Sequence, residues 1–413
     1  MSVVALALVA ACGGRGETTG DDAAGPGFSD TEIVLGSACA ASGNLASFQT
    51  TCAAEQAYFN YVNEELGGVK MADGKTRKIK FVWYDDAYSP PRTLEQVKRL
   101  VEQDRVATVF GLLGTGTSLA ARDYLNRQEV PQLFMASGAS ILGTDSEKYP
   151  WTIGYQVPYA TEASIYGQFI KEKSPNGTVA VLYQNDDFGK ELLEGFKKSI
   201  EGSGVKVVAE ESYAATAATV DSQVTTLAAS RAEYFMVFAI PKFAIQSLRK
   251  VHELGWRTAP VLNSIAASVK GVIEPAGPQT AAGSYTASYV MDPTSPAFVD
   301  SDDVKFYRDI AKRFGPSNLV VDDAQSVQGF VLAQFMVGAL EQTKEPTRAG
   351  LMAAARQLTG IQPKGLIAGI PVATSTADPF PLESMQMQIF QDGVWQLVGK
   401  PITSFEGATP RLK

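Results

Sequence analysis

Residues 178–200 read TVAVLYQNDDFGKELLEGFKKSI, and this stretch decides the fold class. The run 178–183 is apolar and rich in β-branched side chains, which predicts a buried strand. A polar turn comes next, and the apolar residues beyond it are spaced as on one face of a helix: Leu192, Leu193, Phe196 and Ile200. A strand, a turn and a returning helix make one βα unit.

The same unit recurs along the chain. Further strands are predicted at 32–36, 79–84, 107–111, 132–135, 205–209, 234–238 and 260–263. Alternating strands and helices favour parallel sheets with helices on both faces. Two successive sets of units predict an α/β protein with two doubly wound parallel-sheet lobes. Ligands of such sheets bind beyond the carboxyl ends of the strands, so the loops at those ends are the candidate site.

Length and composition exclude several classes of function. A chain of 413 residues, 45% of them hydrophobic, is long enough for two domains with large cores. The net charge of −8 argues against a nucleic-acid partner, which needs a basic surface. His252 is the only histidine, so a catalytic triad or a multi-histidine metal site would depend on it alone. We therefore expect no enzyme, no metal and no cofactor.

The N-terminus resembles an export signal. Residues 1–11 are predicted to be a signal peptide, because a short apolar run ends in Val9-Ala10-Ala11 directly before Cys12. This order resembles the lipobox of bacterial lipoproteins, in which Cys12 would carry the lipid, although no Lys or Arg precedes the run. Residues 12–31 then predict the lipidated Cys and a flexible tether. The alternative is a frayed terminus with an incidental cysteine.

Two further cysteines, Cys39 and Cys52, are candidates for a disulfide. Cys39 follows the first strand, Cys52 lies near the start of the next helix, and an exported chain meets oxidising conditions. Two small buried thiols are the alternative.

Three strand-end loops of the first lobe are small and rich in hydroxyl groups, at 41–44, 114–118 and 136–140. Free backbone N–H groups and hydroxyls at helix starts favour an anion, and a carboxylate fits such a turn. A phosphate fits less well, because 114–118 lacks the G-K-[ST] ending of a P-loop. Ordinary helix capping explains any one of these loops, whereas three on one edge predict a carboxylate site.

The second lobe offers Asp187 and Phe188 at a strand–helix junction. Asp187 is a candidate partner for a ligand amine, and Phe188 is a candidate to stack on the ligand's apolar part. Helix capping by Asp187 and packing of Phe188 beneath the helix are the alternatives.

Several short pieces together resemble a known family. They are Ala41-Ser42-Gly43, Tyr84-Asp85-Asp86, Phe110-Gly111-Leu112-Leu113-Gly114-Thr115, Ser137-Gly138-Ala139-Ser140 and the run 182–189. In their order and spacing, residues 32–398 resemble the type I periplasmic-binding proteins of branched-chain amino acid ABC transporters, the leucine/isoleucine/valine-binding family. This resemblance implies two lobes joined by a three-strand hinge, with crossings near 155–156, 284–288 and 370–376. Lobe 1 would comprise 32–156 plus 286–372, and lobe 2 would comprise 157–285 plus 373–413.

The resemblance also implies that the first lobe holds a ligand carboxylate and that the second lobe closes over it. The candidate ligand-binding residues are Ser42, Phe48, Leu113, Gly114, Thr115, Ser137, Gly138, Ala139, Ser140, Tyr155, Asp187, Phe188, Phe238, Asn263 and Ser264.

The sequence departs from the amino-acid binders of this family at two positions. Leu262-Asn263-Ser264-Ile265 lacks the acidic residue that holds an α-amine there, and Ala239-Ile240-Pro241 lacks the family's tyrosine. A buried ammonium without a carboxylate is costly, so an amine-lacking aromatic or aliphatic acid competes with a branched-chain amino acid as the ligand.

The expected protein is an exported, lipid-anchored monomer at the periplasmic or outer face of the cytoplasmic membrane. Its expected partners are a small carboxylate and the membrane permease of an ABC transporter. A ligand-sensing receptor component of a signalling system is the alternative.

Overall fold

The computed structural model describes residues 24–409, and the predicted signal peptide, Cys12 and most of the predicted tether lie outside them. The described residues form two α/β lobes, each built on one sheet, which confirms the predicted fold class. Among these residues, no helix is both long and apolar enough to cross a membrane.

The first sheet has six strands in the order β2-β3-β1-β4-β5-β6. The strands are β1 (Glu32–Cys39), β2 (Val69–Lys70), β3 (Thr76–Asp85), β4 (Thr108–Phe110), β5 (Gln132–Met135) and β6 (Thr152–Gly154). All pairs are parallel except the hairpin of β2 and β3 at the edge. The carboxyl ends of β1, β4 and β5 therefore lie side by side, with the three hydroxyl-rich loops.

The second sheet has seven strands in the order β13-β12-β11-β10-β9-β7-β8. The strands are β7 (Thr178–Gln184), β8 (Lys206–Tyr213), β9 (Tyr234–Phe238), β10 (Ala259–Leu262), β11 (Tyr285–Ser288), β12 (Met385–Gln391) and β13 (Val394–Ile402). The strands from β7 to β11 are parallel, and β12 and β13 extend the sheet in antiparallel pairing. Both sheets are thus mixed rather than purely parallel.

The described helices pack on both faces of the two sheets. They are α1 (Gln49–Glu64), α2 (Pro90–Glu102), α3 (Thr115–Arg127), α4 (Ile141–Thr144), α5 (Tyr159–Lys173), α6 (Asp187–Ser199), α7 (Asp221–Ala228), α8 (Pro241–Glu253), α9 (Glu274–Ala276), α10 (Asp302–Phe314), α11 (Ala324–Gln342) and α12 (Arg348–Ala355).

The chain crosses between the sheets three times, after β6, after β11 and before β12. The second and third crossings pair, since Ile367 N donates to Tyr289 O at 2.9 Å and Met291 N to Gly365 O at 2.8 Å. Because β11 pairs with β10 and β12, residues 286–288 lie in the second lobe, beyond the boundary predicted from the sequence.

Helix α11 is the core helix of the first lobe. It is apolar on nearly every face and buried from Gln325 to Ala333, as expected for a helix surrounded by protein. Gly329 allows α11 to approach α1 closely, because a Cβ there would lie 2.2 Å from the carbonyl oxygen of Thr51. Helices α11 and α1 therefore pack closely against each other in the core of the first lobe.

A carboxyl group is buried in this core. Glu55 of α1 is 0% exposed, and neither of its carboxyl oxygens has a hydrogen-bond partner. Burial raises the pKa of Glu55 well above its usual value of 4.5, so the folded chain keeps this group protonated where the unfolded chain ionises it.

We predict that Glu55→Gln removes a pH-dependent loss of stability. Wild-type unfolding free energy falls as pH rises above about 4.3, where the unfolded carboxyl ionises, and it keeps falling until the raised folded pKa is reached. Gln has no proton to lose, so thermal melting between pH 4 and 8 should show the two proteins diverging with rising pH. Glu64→Gln, on the exposed face of the same helix, is the control. Parallel melting curves for wild type and Glu55→Gln would contradict the assignment.

Candidate ligand-binding cleft

The loop after β1 is held by an acidic residue at the end of β3. Asp85 accepts hydrogen bonds from Ala41 N at 3.0 Å, Ser42 N at 3.2 Å and Ser42 Oγ at 2.6 Å. Burial acts to raise the pKa of Asp85, but the bonds from Ser42, Ala87 and Ala41 outweigh it and lower the pKa. The hydroxyl of Ser42, a predicted ligand contact, is therefore engaged within the chain.

The loops after β4 and β5 contact one another. Thr115 Oγ1 and Ser137 Oγ are 2.9 Å apart, and Ser137 Oγ accepts from Ala139 N at 3.2 Å. Leu113 and Ala136 form an isolated parallel bridge that carries the sheet register into the loops. The structure thus brings together the hydroxyl-rich turns that the sequence predicted for a carboxylate.

The Ser140 turn contacts a carboxylate from the other lobe. Ser140 N lies 3.0 and 3.2 Å from the two carboxyl oxygens of Glu191 in α6, and Ser140 Oγ donates to Oε1. Desolvation by the surrounding protein raises the pKa of Glu191 to about 7, although the hydrogen bonds from Ser140 and the Ala160 amide act to lower it. The side chain remains partly exposed. The sequence predicted the turn but missed this partner, which lies three residues after Phe188 in α6.

Aromatic rings cover the two glycines of these turns. A Cβ added to Gly114 would lie 2.4 Å from the ring of Tyr88, and one added to Gly138 would lie 2.7 Å from the ring of Tyr159. Tyr159 N also donates to Gly138 O at 2.6 Å. Neither tyrosine was among the predicted residues, and the ring of each packs against the backbone of its turn.

Phe188 and Asp187 have different environments. Phe188 is 2% exposed and meets Tyr159 edge to face, with ring centroids 5.1 Å apart. Asp187 is exposed at the first position of α6, and the helix is capped by Asp186, which accepts from Gly189 N at 3.2 Å. The alternative that Asp187 caps the helix is therefore wrong by one residue.

The position that lacks the family's acidic residue is filled by amides and hydroxyls. Asn263 Nδ2 donates to Val237 O and Ala239 O, both at 2.9 Å, and its Oδ1 is buried without a partner. Ser264 donates from N at 2.7 Å and from Oγ at 2.9 Å to Glu162 of α5. A carboxyl group thus stands beside Ser264 after all, although it comes from another element and is already bonded to Ser264 and Tyr166.

Three predicted contacts are buried aromatic side chains. Phe48 is 2% exposed, and Tyr155 and Phe238 are fully buried. Tyr155 packs edge to face on Tyr289 and Phe335 at the first crossing. All three side chains belong to the buried core of the protein.

A cavity of about 40 Å³ lies at the hinge, between the second-lobe loops and the start of α11. Its lining includes Gln156, Ser264, Tyr289, Gln325, Gln328 and Trp395, and no lysine or arginine. Gln156 Oε1, Gln325 Oε1 and Gln328 Nε2 are buried without partners. The volume suits water-sized molecules, and the lining also includes Asp292 and several apolar side chains. Of these residues the sequence predicted Ser264 alone, although two glutamines three apart in an apolar helix are a usable signal.

Cys39 and Cys52 form a disulfide with their Cα atoms 6.5 Å apart. The bond ties the end of β1 to the first turns of α1, on both sides of the loop that Asp85 holds. It closes a loop of 13 residues beneath the cleft.

We predict that Cys39→Ala with Cys52→Ala lowers the unfolding free energy by about 3 kcal/mol, the chain-entropy effect of a loop of this length. Urea unfolding of wild type and variant measures the difference, and the unfolding midpoint should fall. Wild type under reducing conditions is the control and should approach the variant. An unchanged midpoint would show that the crosslink does not stabilise the fold.

Among residues 24–409, no group of three or more His, Cys, Asp or Glu side chains is placed to hold a metal ion. The site consists of hydroxyls, amides, aromatic rings and carboxylates, which can form hydrogen bonds to a small polar ligand and pack against its apolar part.

Comparison with known proteins gives a consistent family. A sequence profile described as periplasmic binding protein matches residues 32–391. The leucine-, isoleucine-, valine-, threonine- and alanine-binding protein of Pseudomonas aeruginosa is 26% identical over 148 residues, 36% of this chain and 37% of that protein. A Leu/Ile/Val-binding protein homolog of Brucella melitensis is 26% identical over 205 residues, 49% of this chain and 53% of its own length. The alignments thus span about a third to a half of these relatives, which are binding proteins rather than enzymes.

Solved structures show the same fold. A branched-chain amino acid ABC transporter protein from Thermus thermophilus with bound valine matches with a TM-score of 0.77 at 16% identity, over 90% of this chain and 97% of its own. A fatty acid ABC transporter substrate-binding protein from Thermomonospora curvata matches with a TM-score of 0.77 at 21% identity, over 95% and 99%.

Proposed function

The chain belongs to the periplasmic binding proteins, and from this premise we propose that it is the solute-binding component of an ABC importer. It binds a small carboxylate between its lobes and presents the closed form to a membrane permease. The proposal includes export and anchoring by a lipid on Cys12, which lies outside the described residues. The binding step needs no chemistry beyond a shift between open and closed forms.

The observation that carries the proposal is the Ser140 turn. Its N–H and hydroxyl both donate to a carboxylate, that of Glu191. The turn therefore has the donor geometry that a ligand carboxylate requires, and charge-assisted bonds of this kind are among the stronger polar contacts in proteins. Thr115 and Ser137 lie in the neighbouring turns and supply further hydroxyls.

The second lobe favours a ligand without an ammonium group. Asn263 offers one neutral acceptor, and the oxygens of Glu162 are bonded to Ser264 and Tyr166. Of the other acidic groups of this lobe, Asp187 is exposed, and the carboxyl group of Glu191 is bonded to Ser140. We therefore place an amine-lacking aromatic or aliphatic acid ahead of a branched-chain amino acid, and the fatty-acid-binding neighbour is consistent with this order.

A thermal-shift screen of amino acids against aromatic and aliphatic carboxylates tests the proposal. A ligand bound only by the native state raises the melting temperature by mass action, so we predict that an amine-lacking carboxylate gives the largest shift. If no carboxylate shifts the melting temperature, the proposed ligand class is wrong.

The site assignment is tested in the same screen. Thr115→Ala with Ser140→Ala should weaken binding of the selected carboxylate by about tenfold or more, the effect of losing a hydrogen bond to a charged group. Ser222→Ala with Thr225→Ala, on the exposed face of α7, removes the same two hydroxyl types as a control. Wild-type affinity of the Thr115/Ser140 variant by calorimetry would refute the site.

A further inference from the structure

The place assigned to a ligand carboxylate already contains a carboxylate of the chain. We propose that Glu191 is an internal competitor, which occupies the Ser140 turn in the ligand-free protein and has to leave before a ligand carboxylate binds there. The inference rests on the proposed function, and its tests separate the two.

The contact joins the two lobes. Ser140 follows β5 in the first lobe, whereas Glu191 lies in α6 of the second. Both carboxyl oxygens of Glu191 are within 3.2 Å of Ser140 N, and the Ser140 hydroxyl and the Ala160 amide also donate to it. A partner across the cleft that engages both donors of Ser140 is positioned as a ligand's carboxylate would be.

The donors of the turn cannot serve two carboxylates at once. Ser140 has one N–H and one O–H, and Glu191 engages both. Two ionised carboxylates side by side would also repel one another. Glu191 keeps partial exposure, so its flexible side chain has a route to solvent without unfolding of α6.

Competition of this kind sets specificity. A ligand that lacks a carboxylate gains nothing from displacing Glu191, and a weak carboxylate fails to displace it. A ligand carboxylate therefore binds at the Ser140 turn only when its further contacts in the cleft outweigh the free energy lost on displacing Glu191.

Truncation of Glu191 provides a direct test with acetate as the probe. Glu191→Ala removes the carboxyl group and leaves room for acetate at the Ser140 turn. Sodium acetate, compared with sodium chloride at equal ionic strength, should raise the melting temperature of Glu191→Ala. It should not raise that of wild type, or of Glu191→Gln, whose side chain still fills the position. Glu194→Ala, on the exposed face of α6, is the matched control and should behave like wild type.

The second measurement uses the carboxylate selected by the thermal-shift screen. Removing a competitor that occupies both donors of Ser140 should strengthen binding to Glu191→Ala by about tenfold or more, with Glu194→Ala unchanged. Calorimetry measures both affinities.

The outcomes are distinct. Equal acetate shifts in all the variants, or no shift in Glu191→Ala, overturn the proposal. Equal or weaker affinity of Glu191→Ala for the selected carboxylate overturns the competition. If the screen yields no carboxylate while acetate still stabilises Glu191→Ala alone, the internal-carboxylate position stands and the proposed function fails.

Discussion

The three chain crossings between the sheets are the constraint on which the cleft depends. Each sheet ends its parallel strands at loops that carry polar side chains, and the crossings bring the two sets of loops face to face. The second and third crossings are hydrogen-bonded to each other. Tyr155 at the first crossing packs on Tyr289 at the second crossing. Because the crossings share one hinge, a change at the hinge moves all the loops of one lobe together relative to the other.

Three serines of the cleft are hydrogen-bonded to carboxyl groups of the chain. Ser42 is bonded to Asp85, Ser264 to Glu162 and Ser140 to Glu191, each an acidic partner from a different element. The fourth predicted serine, Ser137, is bonded to Thr115 instead. Buried polar groups generally need partners, and these three serines find theirs within the chain. The Ser42–Asp85 pair lies within the first lobe and the Ser264–Glu162 pair within the second, whereas the Ser140–Glu191 pair spans both lobes. Only the third is therefore broken when the lobes separate, and that is the pair at which a ligand competes.

The sequence predicted the strands and helices well, because alternating apolar runs report burial locally. The strands β2, β6, β12 and β13 were missed. β2 and β6 are too short to stand out, and β12, which reads MQMQIFQ, alternates apolar and polar residues and has no continuous apolar run. At the site, the turns around Thr115 and Ser140 were predictable from their small hydroxyl residues. Their partners Glu191, Tyr88 and Tyr159 were not, because they come from elements far away in sequence that only the tertiary fold brings together. The cap of α6 was missed by one residue, as Asp186 and Asp187 are chemically equivalent in sequence.

Hydrogen exchange with the selected carboxylate tests the central claim, that the ligand binds between the lobes, most directly. The Ser140 turn and α6 lie in different lobes, and the Ser140 amide contacts the side chain of Glu191 across the cleft. Saturation with ligand should slow exchange in both segments together, and the exposed helix α7 should serve as an unchanged reference. Protection confined to one lobe, or at a surface away from the cleft, would contradict closure of two lobes on a shared ligand.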